Sequence, residues 1–186
     1  MRDDVPIILL DMDGVQANFV KASIKAARLP VHEDEIDEWS YYNKWCSVDE
    51  FWERIGTFEN FWLDLEKYEW SDDLFRMCST TARTVIATSP SPCKNCPGQK
   101  VEWLRKHGYL EARLTDYMLG PHKELMARPN TILIDDSDRN VELFIAAGGK
   151  AITFPQRWNK ARSLIGSRLE YVGTMLNHFV GQIVTG

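Results

Sequence analysis

No apolar run in this chain of 186 residues approaches the roughly 20 residues that a bilayer-crossing helix needs, so a membrane-bound role is not expected. Basic residues are the minority: 22 Lys and Arg stand against 27 Asp and Glu, a formal net charge of −5. A nucleic-acid polymer is not expected as a partner, because binding one normally needs a basic footprint. Cysteine is also scarce. Cys46, Cys78, Cys93 and Cys96 are too few for a disulfide framework in a chain of this size. Cys93 and Cys96 form a C-x-x-C pair, but structural zinc would need a second ligand pair and no histidine is spaced to complete one. Free thiols, buried or exposed, are expected instead. Internal repeats, low-complexity tracts and Gly/Ser linkers are absent as well. The opening stretch MRDDVPIILLDMDG has an apolar run too short, and too acidic at both ends, for a signal peptide; a soluble cytoplasmic protein is expected.

Hydrophobic residues make up 44% of the chain and charged residues 26%, which is globular composition with enough apolar material for a core. Four short apolar runs rich in β-branched residues stand out: Val5–Leu10, Thr84–Ala87, Thr131–Ile134 and Ala151–Phe154. Lacking alternation, they suit fully buried strands of a parallel sheet. Helical patterns separate them. One covers Lys100–His107 and ends at Gly108; another covers Arg139–Ala147, ends at Gly148-Gly149, and has Ser137 or Asp138 placed to cap it. Near the C-terminus, Ile165, Leu169, Val172, Leu176, Phe179 and Ile183 fall on one helical stripe. This order predicts an α/β fold: a Rossmann-like open parallel sheet with helices on both faces. Residues from about Gln16 to Trp70 break the rhythm, holding 12 of the 21 aromatics and five of the seven tryptophans, with an acidic stretch at Glu33–Glu38. They read as a small helical insertion (16–70) between the first strand and the rest of the core (1–15 and 71–186), above the carboxyl ends of the strands.

The residues that follow the strands carry the chemistry. Asp11-Met12-Asp13-Gly14 follows the first run, Thr88-Ser89-Pro90 the second, and Asp135-Asp136-Ser137 the third. In a parallel sheet these ends share one edge, so four carboxylates and two hydroxyls converge. A lone Asp-x-Asp is most often a surface turn, and paired aspartates often cap a helix. Three polar clusters, each directly after a buried strand, point instead to one site. Crowded carboxylates repel and raise one another's pKa values unless a cation neutralises them. All-oxygen ligands favour a hard ion, Mg²⁺ above all, which also bridges to phosphate oxygens. Phosphoryl transfer is the expected chemistry.

Asp11-Met12-Asp13-Gly14-Val15, Thr88-Ser89 and Ile134-Asp135-Asp136 resemble motifs one, two and four of the haloacid dehalogenase (HAD) superfamily. DMDGVQANF, TSPSP followed by Cys96-Pro97 and Lys100, ILIDD, and Phe154–Asn159 (FPQRWN) are similar to the 5′(3′)-deoxyribonucleotidases. That resemblance implies a Mg²⁺-dependent phosphatase of deoxyribonucleoside monophosphates with a small helical cap. It also implies roles. Asp11 would be the nucleophile that forms an aspartyl-phosphate, and Asp13 the general acid and then base. Asp11, the backbone carbonyl of Asp13, and Asp136 would hold the metal, with Asp135 in support. Thr88 and Ser89 would bind the phosphoryl oxygens. Two lysines compete for the third motif: Lys123 matches the family's phosphate-binding lysine and is favoured, while Lys100 matches a second family lysine and is kept as an orienting partner of the aspartates. Phe19 matches a substrate-contacting aromatic and Trp39 stands roughly where a base-contacting one belongs, while Trp52, Phe61 and Trp62 are further candidates for stacking on a base. Most of the insertion's aromatics must nevertheless serve packing. Gln156–Asn159 is expected to anchor the loop after the fourth strand, without a catalytic role.

A small-molecule nucleotide is thus the expected partner, and the oligomeric state stays open, a homodimer included. The rival readings are a HAD phosphatase of a sugar phosphate or a polynucleotide 3′-phosphate, and a non-catalytic nucleotide-binding regulator. A redox or zinc protein built on Cys93 and Cys96 ranks last.

Overall fold

The structure, a computed structural model, describes residues 5–110 and 116–185; Met1–Asp4 of the opening stretch lie outside the described residues. Five strands form one sheet: β1 (Ile7–Leu10), β2 (Arg83–Thr88), β3 (Tyr117–Leu119), β4 (Thr131–Asp135) and β5 (Lys150–Thr153). Their order is β3-β2-β1-β4-β5 and every pairing is parallel. β1 is central. The chain builds outward on one side through β2 and β3, then returns to the other side of β1 for β4 and β5. Such a reversal opens a crevice at the carboxyl end of the central strand, where open α/β sheets take their ligands.

Alternation along the strands serves two buried faces. Ile8, Leu10, Ile86, Ile132, Ile134 and Ile152 join one core cluster with Leu74 of α3 (Ser71–Thr81), Trp103 and Leu104 of α4 (Cys96–Lys106), and Val172 and Leu176 of α6 (Arg168–Thr185). Leu9, Ala87, Leu133 and Ala151 point the other way, against Val141 and Phe144 of α5 (Asp138–Ala146). Helices on both faces explain why the central strands read as unbroken apolar runs.

Element ends have local causes. β1 starts at Ile7 because Pro6 has no N–H to give to the ladder; the Ile7 N–H donates to Asn130 O at 3.0 Å. α4 begins four residues earlier than the periodicity predicts, at Cys96, with Pro97 in the first turn where its missing N–H costs nothing. Ser137 caps α5, its side chain accepting from the Asn140 N–H. α6 keeps Val172, Leu176 and Ile183 of the predicted stripe buried, while Ile165 lies in a preceding 3₁₀ turn, Arg162–Ser167. The edge strand β3 is an addition to the four strands that the sequence pattern predicts.

Between β1 and α3 the chain forms α1 (Phe19–Ala27), two 3₁₀ turns (Glu33–Glu35 and Tyr41–Lys44) and α2 (Val48–Gly56), with α1 packed on α2. Its aromatics interlock: Phe51 stacks on Tyr42 with centroids 4.2 Å apart, and Phe19 meets Phe51, Trp52 and Phe61 at 5.8–6.5 Å. Side chains tie this segment to the sheet layer. Trp103 Nε1 donates to Leu65 O at 2.8 Å, Trp70 Nε1 to Val15 O at 3.0 Å, and the Trp62 N–H to Gln99 Oε1 at 3.1 Å.

Candidate active site

β1 delivers Asp11 to the sheet edge, and the Asp11 N–H extends the β1–β4 ladder by donating to Ile134 O at 2.9 Å. Thr88 is the last residue of β2 and Asp135 the last of β4. After Asp11 the chain turns sharply: the Gln16 and Ala17 N–H groups both donate to Met12 O, and the Gly14 N–H to Ala17 O. Gly14 has φ +76°, and a Cβ there would lie 2.1 Å from Asp136 Oδ2. Only glycine lets the two acidic loops approach so closely.

Two buried lysines organise the carboxylates. Lys123 Nζ bridges Asp11 Oδ1 and Asp135 Oδ2, each at 2.6 Å. Lys100 Nζ donates to Asp13 Oδ2 at 2.5 Å, Thr88 Oγ1 at 2.9 Å and Ser89 O at 2.6 Å, which uses its three protons. Asp135 is saturated: besides Lys123 it accepts from the Ser137 N–H at 2.9 Å and from Asn140 Nδ2 at 3.1 and 3.2 Å. Asp136 Oδ2 accepts from Trp158 Nε1 at 2.8 Å, whereas the buried Oδ1 atoms of Asp136 and Asp13 have no hydrogen-bond partner among the described residues.

Charge is out of balance here. Four carboxylates face two ammonium groups, leaving two negative charges uncompensated when all are ionised. Burial pushes Asp11 up from 3.8 to about 7; Lys123 opposes that, and the charges on Asp135 and Asp13 add to it. Burial likewise raises Asp136 well above the carboxylate range, helped by Asp11 and Asp135. Burial works to depress Lys123, but Asp11 and Asp135 outweigh it and hold the ammonium above its ordinary value. One oxygen from each of Asp11, Asp135 and Asp136 lies within 4.8 Å of the others. A hard divalent cation fits this donor set: all-oxygen, doubly negative, with an orphaned oxygen on Asp136. Asp135, whose oxygens are already engaged, is suited to support and not to direct ligation.

A cavity of about 200 Å³ opens over the cluster. Asp11, Asp13, Ser89, Lys100, Lys123 and Asp136 line it together with Asn140, and aromatics including Phe19, Tyr42, Trp52, Trp62 and Trp158 supply apolar wall. Trp39 also lines it and is 54% exposed. Most candidate residues therefore meet at one place. Thr88 stands apart from that wall: its side chain is buried behind Lys100, and it lines a neighbouring cavity with Lys123. Phe61 is buried as packing beneath Phe19 and Trp62. The four thiols are free, and Cys96 Sγ accepts from the Ser91 N–H at 3.3 Å.

Two participants escaped the sequence reading. Asn140 lies in the first turn of α5, three residues after the Ser137 cap, so the capping signal already placed it close to Asp135. Trp158 falls in the Gln156–Asn159 stretch expected only to anchor its loop; its bond to Asp136, 22 residues away in sequence, comes from the fold.

The sequence profile of the family described as "5′ nucleotidase, deoxy (Pyrimidine), cytosolic type C protein" matches residues 5–164. No curated protein matches the chain in sequence. Solved structures share its fold at low identity. A HAD family hydrolase from Deinococcus radiodurans R1, with bound phosphate and sodium, is 14% identical over 96% of this chain and 98% of its own, with a TM-score of 0.54. A haloacid dehalogenase-like hydrolase from Xanthomonas campestris is 10% identical over 97% and 94%, TM-score 0.58. The HAD hydrolase YfnB from Bacillus subtilis, bound to magnesium, is 14% identical over 93% and 99%, TM-score 0.54. With its profile matched over most of its length, its acidic cluster at the edge of a HAD-type sheet and both lysines in place, the chain belongs to the deoxy (pyrimidine) 5′ nucleotidase, cytosolic type C family of HAD-type phosphatases.

Proposed function

We propose that this protein is a Mg²⁺-dependent phosphatase that hydrolyses deoxyribonucleoside monophosphates, 5′ and/or 3′, to nucleoside and phosphate in the cytoplasm. One observation carries the reading: a single cavity is lined both by Asp11, Asp13 and two lysines and by a wall of aromatic rings. The first set suits a phosphoryl group and the second a flat base. The family's description names a deoxy pyrimidine nucleotidase of cytosolic type, and the cluster's uncompensated charge supports the cation.

Asp11 attacks phosphorus in line and forms an aspartyl-phosphate as the P–O bond to the nucleoside breaks. Asp13 gives its proton to the departing nucleoside oxygen, then takes one from the water that cleaves the aspartyl-phosphate and frees Asp11. Lys100 fixes the Asp13 carboxylate through Oδ2, and Thr88 steadies Lys100 from behind. Lys123 aims Asp11 through Oδ1 and presents positive charge to the phosphoryl oxygens, with Ser89 beside it. Asp11, Asp136 and the backbone carbonyl of Asp13 would hold Mg²⁺, which when bound offsets charge on nucleophile and phosphate together. Segment 16–70 acts as the cap, where Phe19, Trp52 and Trp39 take the base and exclude bulk water.

Phosphate release from 5′- and 3′-nucleoside monophosphates, deoxy and ribo, alongside sugar phosphates and with or without Mg²⁺, tests this reading. The expected result is Mg²⁺-dependent turnover with kcat/KM highest for deoxynucleotides. Turnover confined to sugar phosphates would overturn the substrate, and turnover unaffected by chelation would overturn the metal.

A further inference from the structure

Three of the four clustered carboxylates are ion-paired: Asp11 and Asp135 with Lys123, and Asp13 with Lys100. Among the described residues, no lysine or arginine reaches Asp136 within ion-pair distance; the side-chain donor on this buried carboxylate is the neutral indole of Trp158, at 2.8 Å from Oδ2. An N–H donor fixes a carboxylate without cancelling its charge, whereas an ammonium fixes and neutralises it together. Trp158 thus holds Asp136 through Oδ2 without an ion pair and leaves its Oδ1 unpartnered among the described residues.

The loop that carries Trp158 is built to be rigid. Asn159 Nδ2 donates to Asp136 O at 2.9 Å and to Phe154 O at 2.8 Å, so one amide locks the loop to the backbone of the same aspartate. Asn159 Oδ1 accepts from the Gln156 and Ala161 N–H groups at 3.3 and 3.1 Å, closing the turn around Trp158. Gln156 Nε2 reaches across to Gly14 O at 2.5 Å. Gly14 lies against Asp136 Oδ2 so closely that any Cβ there would collide. One loop therefore grips both acidic loops, and its tryptophan sets the rotation of the Asp136 carboxylate.

We infer that Trp158 is a positioning residue that sets the affinity for Mg²⁺ by orienting the Asp136 carboxylate so that its Oδ1 faces the metal site. This rests on the reading of Asp136 as a holder of Mg²⁺. Outer partners of metal ligands typically contribute ten- to a hundredfold in metal affinity or activity, which sets the expected scale at about tenfold or more.

Calorimetric titration of the substrate-free protein with Mg²⁺ alone tests it, on wild type, Trp158→Phe, Trp158→His and Asp136→Asn. Trp158→Phe keeps a ring against the loop and removes the donor. The expected result is a Mg²⁺ dissociation constant about tenfold or more above wild type for Trp158→Phe, with a metal-free Tm close to wild type. Trp158→His, which restores a ring N–H, returns the affinity toward wild type. Mg²⁺ affinity lost in Asp136→Asn but unchanged in Trp158→Phe would overturn the inference and leave the proposed function standing. A histidine variant as weak as the phenylalanine one would also overturn it, by assigning the loss to shape. Unchanged affinity in Asp136→Asn would remove Asp136 as a holder of the metal, and the inference with it.

Discussion

Gly14→Ala strikes the contact on which the two acidic loops depend. The added Cβ would sit 2.1 Å from Asp136 Oδ2 and 2.7 Å from its Cγ, in a backbone conformation with φ +76°. The left-handed backbone costs a residue with a Cβ about 1–2 kcal/mol. In addition, Oδ2 must retreat from 2.1 Å toward the 3.4 Å of ordinary contact, which breaks its 2.8 Å hydrogen bond from Trp158. A buried acceptor stripped of its donor costs about 1–3 kcal/mol more. The total of about 2–5 kcal/mol lowers Tm by roughly 4–20 °C in a chain of this length. Gly108→Ala supplies the control, because Gly108 shares the backbone state (φ +75°) but has open space where the Cβ would go. It carries the backbone cost alone. Thermal unfolding of both variants, with and without Mg²⁺, isolates the Asp136 contact as the difference between them. Gly14→Ala melting with Gly108→Ala, and saturating with Mg²⁺ at the wild-type concentration, would refute the reasoning.

Chelated protein should lose stability as pH rises between 3.8 and about 7, because folded Asp11 keeps a proton there that the unfolded chain has released, burial being the main cause and Asp135 and Asp13 contributing. Mg²⁺ needs the ionised form, so it should raise Tm more at pH 8 than at pH 5; an equal rise at both would contradict the assignment of Asp11 to the metal site. Phe19→Ala should raise KM for deoxynucleotides severalfold while changing that for p-nitrophenyl phosphate little, since Phe19 lines the aromatic side of the cavity. Equal changes for both would make Phe19 a packing residue, which its ring contacts with Phe51 and Phe61 also allow.

How legible this was depended on whether a feature repeats locally. The strand runs were readable because burial on both faces demands unbroken apolar residues, and the acidic clusters because each directly follows such a run. β3 left no such mark: its three half-buried residues, Tyr117–Leu119, sit at the sheet edge, where one side of the ladder and much of each side chain need no apolar partner. The early start of α4 was hidden because Cys96-Pro97-Gly98 carries little helix propensity and its first turn is held by position and not by composition. Lys100 and Lys123 were readable as candidates, but their division of labour was not. Which carboxylate each ammonium meets follows from the packing of α4 and of the 3₁₀ turn Lys123–Met126. The grip of Trp158 on Asp136 is the extreme case, a contact created by the sheet order that no spacing encodes.

Asp11 is expected to take the phosphoryl group from a deoxynucleotide. Rapid acid quench of the Mg²⁺-loaded enzyme during turnover of a deoxyribonucleoside monophosphate, followed by peptide mass spectrometry, tests it most directly. The expected result is one added phosphoryl group on the peptide that contains Asp11, lost on standing in base and absent from Asp11→Asn, which should turn over at least about a thousandfold more slowly. Phosphate released at the wild-type rate by Asp11→Asn, or a phosphoryl group found on any other residue, would contradict it.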